Sequence, residues 1–238
     1  SADGTAALAA RAGAETFAES SLLPEFGPVK GKGDAMWRAL SVAEGEIVVY
    51  LDGDVRDFGG HYVVGLLGPL LAGQGADFVK GFYSRPLALG GLEIEDGGGR
   101  VTELTAKPML ELIAPELAAF HQPLAGECAA RRSLLEEVRF STGYGVEIAM
   151  LVEVWRRIGI ARMAQSGLGS KRNSHQSLAG LAKMAREVIE ALAKEAAESG
   201  DGALGSIRPA AGWAPGLELR PPLRELAASG SAALPSSG

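Results

Sequence analysis

The clearest hydrophobic pattern in the chain is a short apolar run that ends in two acids. Residues 46–54 are Glu-Ile-Val-Val-Tyr-Leu-Asp-Gly-Asp, with five successive apolar positions, most of them β-branched or aromatic. A strand with one solvent-exposed face would alternate between apolar and polar residues, so this run predicts a strand covered on both faces in a parallel sheet. Residues 77–83 form a similar run and predict a second buried strand.

Helical periodicity fills most of the intervals between the strands. Apolar residues at helical spacing predict helices over residues 34–43, 61–72, 101–113, 143–158 and 177–199. Short strands are predicted within residues 122–130 and at 160–165, followed by a polar loop at 166–176. The glycine-rich stretch at 90–100 predicts a mobile loop or a hairpin. Strands that alternate with helices predict an α/β domain with a mostly parallel central sheet flanked by helices.

The two ends of the chain differ from this pattern. Residues 1–5 form a turn that leads into a short alanine-rich helix, and no strand precedes it. We therefore expect that the opening βαβ unit of the domain is missing, the alternative being that Ser1 is a native start. Beyond residue 199 the chain is rich in Gly, Pro, Ala and Ser, which predicts a poorly packed tail or arm. The predicted division is a main domain at 1–176 and a C-terminal helix and arm at 177–238.

Composition narrows the class of protein. The chain has 238 residues, 47% of them hydrophobic, which is enough for one large α/β domain. A net charge of −6 with both signs interspersed argues against a nucleic-acid partner. The single cysteine, Cys128, excludes a disulfide framework and predicts a reducing compartment, the cytoplasm. No apolar run reaches the roughly 18 residues of a membrane span, so we expect no membrane partner.

The acids at the end of the first strand suggest a ligand site. In open α/β sheets ligands bind just outside the carboxyl ends of the strands, and Gly53 between Asp52 and Asp54 lets the backbone come close to a ligand. Such a carboxylate pair suits a hard divalent cation that shares its other positions with substrate phosphates. The alternative interpretation is a simple turn, because Asp and Gly are favoured turn residues.

Other polar residues also have both a functional and a structural interpretation. Lys32, between two glycines, suits a phosphate or ribose, or else lies in an ordinary surface loop. Arg100 and Thr102 open a helix after three glycines, which forms either an anion site or a flexible linker. Glu147, at the start of the helix at 143–158, either interacts with the helix dipole or faces a cleft. The lone loop histidine His175 is typical of a solvated side chain.

Five motifs taken together resemble one family. In chain order they are Gly31-Lys32-Gly33-Asp34-Ala35-Met36-Trp37-Arg38, Asp52-Gly53-Asp54, Gly98-Gly99-Arg100-Val101-Thr102-Glu103, Gln122-Pro123-Leu124-Ala125-Gly126-Glu127 and Gly143-Tyr144-Gly145-Val146-Glu147-Ile148. The chain is similar in this order and spacing, up to about residue 190, to the glucosyl-3-phosphoglycerate synthases and related mannosyl-3-phosphoglycerate synthases of actinobacteria. The resemblance implies a retaining GT-A glycosyltransferase that works as a homodimer. It would use a UDP- or GDP-sugar donor, 3-phosphoglycerate as acceptor, and Mg²⁺ or Mn²⁺.

The resemblance also implies roles for individual residues. The expected donor-binding residues are Lys32, Asp52, Gly53 and Leu124. The expected acceptor-binding residues are Gly99, Arg100, Val101, Thr102, Tyr144 and Lys171. The expected catalytic residues are Asp54 and Glu147. Asp54 would also bind the metal, together with His175 or Asn173, because the family's metal-binding histidine falls in the loop at 166–176. The family's opening strand, which holds the nucleoside, is absent from this sequence.

Two other functions stay open at this point. A polyprenyl-phosphate glycosyltransferase could have the same fold, but the sequence offers neither an apolar span nor a basic amphipathic helix. A nucleotidyltransferase that makes sugar nucleotides, or a sugar-nucleotide binder without activity, belongs to another class. Release of UDP or GDP only in the presence of an acceptor would separate sugar transfer from mere binding.

Overall fold

The centre of the molecule is a mixed sheet of four strands. The structure, a computed structural model, describes residues 3–55, 58–73, 75–85, 87–89, 92–94, 98–171, 177–198 and 216–230. The sheet strands are β1 (Ile47–Tyr50), β2 (Phe78–Ser84), β5 (Cys128–Arg131) and β7 (Met163–Ser170), in the spatial order β1-β5-β2-β7. β5 is antiparallel to both β1 and β2, and β2 is parallel to β7. β1, β2 and β7 therefore point the same way, as expected, and β5 is the one reversed strand.

Helices cover both faces of this sheet. The elements in chain order are α1 (Thr5–Arg11), α2 (Lys32–Leu40), α3 (Gly60–Leu71), α4 (Lys107–Ile113), α5 (Pro115–Ala118), α6 (Arg132–Leu135), α7 (Val146–Ile158), α8 (Leu178–Glu198) and α9 (Leu223–Ala228). Tyr62, Leu66 and Leu70 of α3 pack on one sheet face. α2, α4, α7 and α8 pack with the other face in the larger core. None of the helices in the described ranges is both long enough and apolar enough to cross a membrane.

The first strand is covered on both faces, as its apolar run predicts. Val48 and Tyr50 pack with the larger core, and Ile47 and Val49 pack with the core under α3. Its neighbour is the antiparallel β5, with Tyr50 opposite Cys128 in the register. Because β1 and β5 run in opposite directions, the residues that follow β1 and those that precede β5 lie at the same edge of the sheet. The candidate site forms at this edge.

Two short antiparallel pairs complete the strand pattern. β3 (Leu87–Leu89) and β4 (Leu92–Ile94) form a hairpin in the glycine-rich region, which confirms the hairpin interpretation. β6 (Phe140–Ser141) pairs with β8 (Leu219–Arg220) near the end of the chain. The prediction of a poorly packed tail is wrong for residues 216–230, because Leu217 and Leu223 are buried in the larger core. The composition of this segment was misleading, because the burial of Leu217 and Leu223 depends on residues that are distant in the sequence.

Two predicted boundaries are also wrong. The strand predicted at 160–165 is β7, which runs through Ser166 and Gly167 to Ser170, after a 3₁₀ turn at Ile160–Arg162. Ser and Gly have low strand propensity, but parallel pairing with β2 and burial of Leu168 extend the strand. The helix predicted from residue 34 begins at Lys32, so this lysine belongs to the helix and not to the loop before it.

Candidate functional site

The carboxylate of Asp52 lies at the sheet edge between two lysines. Lys32 Nζ is 2.6 Å from Asp52 Oδ1, and Lys171 Nζ is 3.0 Å from Asp52 Oδ2. Burial opposes ionisation of Asp52, but the two ammonium groups outweigh it and lower the pKa of this carboxyl to about 2. Asp52 is therefore charged at neutral pH and joins the start of α2 to the end of β7.

Lys32 makes a second ion pair, with Glu147 of α7. Its ammonium lies 2.7 Å from Glu147 Oε1, and Glu147 is almost completely buried. Burial acts to lower the pKa of Lys32, but the charges of Glu147 and Asp52 outweigh it and raise that pKa above its ordinary value. An ammonium has three donors, and these two contacts leave one for a ligand. Lys32 is partly exposed and can therefore bind an anion through this remaining donor.

Lys171 is the second cation of this network and is more deeply placed. Its ammonium lies 2.6 Å from Glu127 Oε1 and 3.4 Å from the hydroxyl oxygen of Tyr83. Together with Asp52 these contacts use its three donors, and only 4% of Lys171 is exposed. The predicted polar loop at 166–176 is wrong for residues 166–170, which belong to β7, and Lys171 directly follows them. Its partners Glu127 and Tyr83 were not assigned roles from the sequence.

The loop before β5 closes over these charges. A Cβ atom built on Gly126 would overlap the carboxylate of Asp52 and the ammonium of Lys32. Any other residue here would require Asp52 and Lys32 to move from their ion pair, which gives a physical reason for the glycine in the motif. Leu124, two residues earlier, is half-buried and packs on the larger core. Leu124 is one of the residues that the sequence predicts as donor contacts, and Gly126 is not.

Gly53 and Asp54 are exposed in the turn after β1. Asp54 forms no ion pair with another residue in the described part of the chain, in contrast to Asp52. No group of three or more His, Cys, Asp or Glu side chains that could hold a metal ion occurs among the described residues. The predicted metal ligands His175 and Asn173 lie outside them. Asp54 is therefore the one predicted metal ligand whose position the structure gives.

Four of the six predicted acceptor residues, Gly99 to Thr102, lie at the start of the helix that leads into α4. Arg100 and Val101 begin this helix, and Thr102–Ala106 form a π-helical turn in which Thr102 is buried. Gly99 precedes it with a φ of 73°, a left-handed conformation that favours glycine. Backbone N–H groups at such a helix start can act as donors to an anion.

A chain of contacts joins this helix start to the strand-end network. The amide of Gly98 donates to the carbonyl of Arg85 at 3.0 Å. The Arg85 guanidinium donates to the Tyr83 hydroxyl at 2.6 Å and lies 4.7 Å from the centre of the Tyr83 ring. The ammonium of Lys171 contacts the same hydroxyl at 3.4 Å. This series of contacts therefore connects the segment that carries Gly99 and Arg100 with the ion-pair network around Asp52.

Tyr144 lies in the turn at Gly143–Gly145 that precedes α7. Its backbone amide donates to Glu187 Oε2 of α8 at 2.7 Å, and 53% of the residue is exposed. α8 contacts both this turn and the π-helical turn at Thr102–Ala106. The exposed phenol is thus carried by a turn that shares a supporting helix with the Thr102 segment.

The sequence does not predict that a lysine of β2 is buried close to these residues. Lys80 lies in β2 opposite Cys128 and is only 2% exposed. Burial lowers its pKa, and the charges of Glu147 and Glu127 oppose that effect only in part. Burial also raises the pKa of the Cys128 thiol to about 11, so this thiol is protonated and unreactive. The available signal was a lone charged residue within an apolar strand run.

Comparison with known proteins finds relatives among the glucosyl- and mannosyl-3-phosphoglycerate synthases. No family model matches the sequence. The chain is 45% identical over 192 residues to the glucosyl-3-phosphoglycerate synthase of Mycolicibacterium smegmatis. The aligned residues cover 81% of this chain and 63% of that protein. The chain therefore spans less than two thirds of the length of this relative.

Two solved structures are similar over more of their length. The crystal structure of mannosyl-3-phosphoglycerate synthase from Rubrobacter xylanophilus has a TM-score of 0.82 and 42% identity, covering 95% of this chain and 77% of that one. The crystal structure of glucosyl-3-phosphoglycerate synthase from Mycobacterium tuberculosis in complex with Mn²⁺, UDP-glucose and phosphoglyceric acid has a TM-score of 0.79 and 37% identity. It covers the same shares of the two chains.

Proposed function

This chain belongs to the family of glucosyl- and mannosyl-3-phosphoglycerate synthases, and we propose that it transfers a glucosyl or mannosyl group from a nucleoside diphosphate sugar to 3-phospho-D-glycerate. The observation that carries the proposal is the ion-pair network at the sheet edge, in which Lys32 and Lys171 hold Asp52 between them. The network lies where open α/β sheets bind ligands. The ligands named for the Mycobacterium tuberculosis relative are of the same chemical classes as those proposed here.

The donor side is formed by Lys32, Asp52, Gly53 and Leu124. We assign the remaining donor hydrogen of Lys32 to the diphosphate of the sugar nucleotide, because its other two contacts are made to Asp52 and Glu147. Asp52 holds Lys32 in place and is available to ribose or bound water. Leu124 supplies an apolar contact beside the close approach at Gly126.

A divalent cation, Mg²⁺ or Mn²⁺, fits the exposed carboxylate of Asp54. Its oxygens have no ammonium or guanidinium partner among the described residues, and carboxylate oxygens are the ligands that these hard cations prefer. Asp54, with His175 or Asn173, would hold the ion next to the donor diphosphate. When bound there, the ion supplies positive charge against the charge that develops on the leaving diphosphate.

The acceptor carries a phosphate and a carboxylate and therefore needs cations and N–H donors. Gly99, Arg100, Val101 and Thr102 offer these at one helix start, and the exposed Tyr144 extends the pocket. Lys171 contributes positive charge without a direct hydrogen bond to the acceptor, because Asp52, Tyr83 and Glu127 use its three donors. The acceptor phosphate is thus bound mainly by the Arg100 segment.

The proposed reaction keeps the configuration of the donor sugar. The acceptor hydroxyl attacks the anomeric carbon from the face of the leaving group, the bond from that carbon to the diphosphate oxygen breaks, and the leaving diphosphate takes the acceptor's proton. Glu147 lies beside the reacting sugar in this proposal, and its ion pair with Lys32 fixes its position. A fixed negative charge there stabilises the positive charge that develops on the sugar.

The use of GDP-sugars and a homodimeric state are further parts of the proposal and rest on the family resemblance. Side-by-side kinetics with UDP-glucose, GDP-glucose and GDP-mannose at fixed 3-phosphoglycerate test the donor. We expect both sugars to be used, with kcat/KM values within roughly two orders of magnitude, which is about the discrimination of one imperfectly matched contact. Complete rejection of one sugar would contradict this expectation. Light scattering on the purified chain tests the dimer.

Acceptor-dependent release of nucleotide tests the proposed function itself. The purified chain is incubated with each donor and Mg²⁺ or Mn²⁺, with and without 3-phosphoglycerate, and free UDP or GDP is measured. We expect release only when both metal and acceptor are present. Release that is independent of the acceptor would indicate hydrolysis, and binding without release would indicate a sugar-nucleotide binder.

A further inference from the structure

A buried ion pair joins two parts of the chain that are far apart in sequence. Arg220 Nε donates to Asp34 Oδ1 at 2.9 Å, and Arg220 Nη2 donates to Asp34 Oδ2 at 2.8 Å, across a separation of 186 residues. Asp34 is completely buried and Arg220 is 6% exposed. Two parallel hydrogen bonds between a guanidinium and a carboxylate fix direction as well as distance. We call this pair the C-terminal clamp.

The clamp acts on the first turn of α2. Asp34 lies two residues after Lys32, and its Oδ2 accepts a hydrogen bond from the backbone amide of Lys30 at 2.8 Å. Its Oδ1 also accepts a hydrogen bond from Nε of Arg38 at 3.2 Å. One carboxylate therefore ties together the backbone before Lys32, the next turn of the helix and the C-terminal segment.

The C-terminal segment is held in place by several contacts besides the clamp. β8 pairs with β6, with Arg220 opposite Phe140 in the register. The indole N–H of Trp37 donates to the carbonyl of Pro221 at 2.8 Å. The guanidinium of Arg220 also lies 5.7 Å from the ring centres of Phe26 and Trp37, within the range of a cation–π contact. The segment is thus a fixed support against which α2 rests.

Lys32 is sensitive to small movements of this helix start. Its ammonium must stay 2.6 Å from Asp52 and 2.7 Å from Glu147 at the same time. The preceding Gly31 has little room, because a Cβ on it would lie 3.0 Å from the Cα of Gly143. A shift of the first turn of α2 would therefore break one or both ion pairs.

We propose that Arg220 is a positioning residue for the donor site. Through Asp34 it holds the start of α2 so that Lys32 spans Asp52 and Glu147 with one donor hydrogen left for the diphosphate. This inference rests on the proposed function only in the role given to Lys32. Removing Arg220 leaves the buried carboxylate of Asp34 with Arg38 as its one charged partner among the described residues, and such a loss is costly in a buried pair.

Arg220→Ala and Arg224→Ala form a matched pair of variants. Arg224 lies four residues further along the same segment, is half-exposed, and pairs with Glu136 and Glu137, which directly follow α6. We expect Arg220→Ala to raise the donor KM on the order of tenfold to a hundredfold, as misplacement by about 1 Å does, and to leave the acceptor KM near that of the wild type. Arg224→Ala should leave both values unchanged.

Rescue by a conservative variant separates positioning from loss of fold. Arg220→Lys keeps the charge but cannot form two parallel hydrogen bonds, so we expect a donor KM between those of the wild type and Arg220→Ala. Hydrogen–deuterium exchange gives a readout that is independent of activity. Amides at residues 30–36 should exchange faster in Arg220→Ala and at the wild-type rate in Arg224→Ala.

The outcomes distinguish this inference from the proposed function. Equal rises in the KM of donor and acceptor, or unchanged exchange at residues 30–36 in Arg220→Ala, would overturn the positioning role. A wild-type chain that transfers no sugar would instead overturn the proposed function, and the exchange experiment would still decide whether the clamp holds the start of α2.

Discussion

The ammonium of Lys32 lies 2.7 Å from Oε1 of Glu147, which joins the first residue of α2 to the first turn of α7. Both helices pack on the same face of the sheet, and their starts meet at the edge where Asp52 follows β1. The contact fixes the position of the Glu147 carboxylate beside the place where the sugar is proposed to react. A preorganised charge of this kind requires no rearrangement during the reaction and is therefore effective.

Replacing Asp54 tests the metal site. Asp54→Ala should abolish measurable transfer and leave the melting temperature unchanged, because the residue is exposed in a turn and has no ion pair with the described residues. Transfer is measured as acceptor-dependent UDP release over a range of Mn²⁺ concentrations. Glu46→Ala is the control, since Glu46 is an exposed carboxylate at the opposite end of the same strand. Unchanged turnover of Asp54→Ala in excess metal would remove Asp54 from the metal site.

Replacing Arg100 tests the acceptor site. Arg100→Ala should raise the acceptor KM by about 10- to 100-fold and the donor KM little, because a hydrogen bond to a charged group contributes about 1.5–3 kcal/mol. The control is Lys107→Ala on the same helical segment, where the lysine pairs with Glu103 at 2.7 Å. Equal losses for donor and acceptor would place Arg100 outside the acceptor pocket.

Replacing Gly126 tests the close approach over the ion pairs. A methyl group there would push Asp52 and Lys32 apart, so Gly126→Ala should lower activity strongly while costing about 1–3 kcal/mol of stability, as overpacking does. Gly68→Ala is the control, because nothing lies within 4 Å of a Cβ built on Gly68. Full activity in Gly126→Ala would show that the Lys32–Asp52 contact is not needed for transfer.

How much of this arrangement the sequence predicts depends on the range of the interactions. The apolar run before Asp52 predicts β1 and the site at its end, because strand burial and strand-end acids are local signals. The Lys171 environment was not predictable, since its strand is extended by pairing with β2 against the preference of Ser and Gly. The burial of Arg220 was also missed, because its partner Asp34 is 186 residues away.

A buried carboxyl pair between α7 and α8 predicts how stability depends on pH. Burial, and after it the charge of Glu153, raises the pKa of Glu195 from its ordinary 4.5 to about 8, although Arg139 and Arg156 oppose the change. The unfolded chain loses this proton near its ordinary pKa, and the folded chain keeps it to about pH 8. The contribution of Glu195 to the free energy of unfolding is therefore fully present below pH 4.5 and falls as the pH rises to about 8.

Denaturant unfolding of the wild type and of Glu195→Gln at pH 5, 6.5 and 8 measures this contribution. The glutamine cannot titrate, so the variant should lose less stability between pH 5 and pH 8 than the wild type loses. Parallel curves for the two proteins would show that Glu195 has an ordinary pKa in the folded state.

The central claim is sugar transfer with retention, and the structure of the product tests it most directly. Proton NMR of the reaction mixture with UDP-glucose, 3-phosphoglycerate and Mn²⁺ reports the new anomeric signal and its coupling constant. The account predicts one new sugar linked to phosphoglycerate in the α configuration of the donor, formed together with an equal amount of UDP. A β-linked product, or free glucose without any phosphoglycerate conjugate, would contradict it.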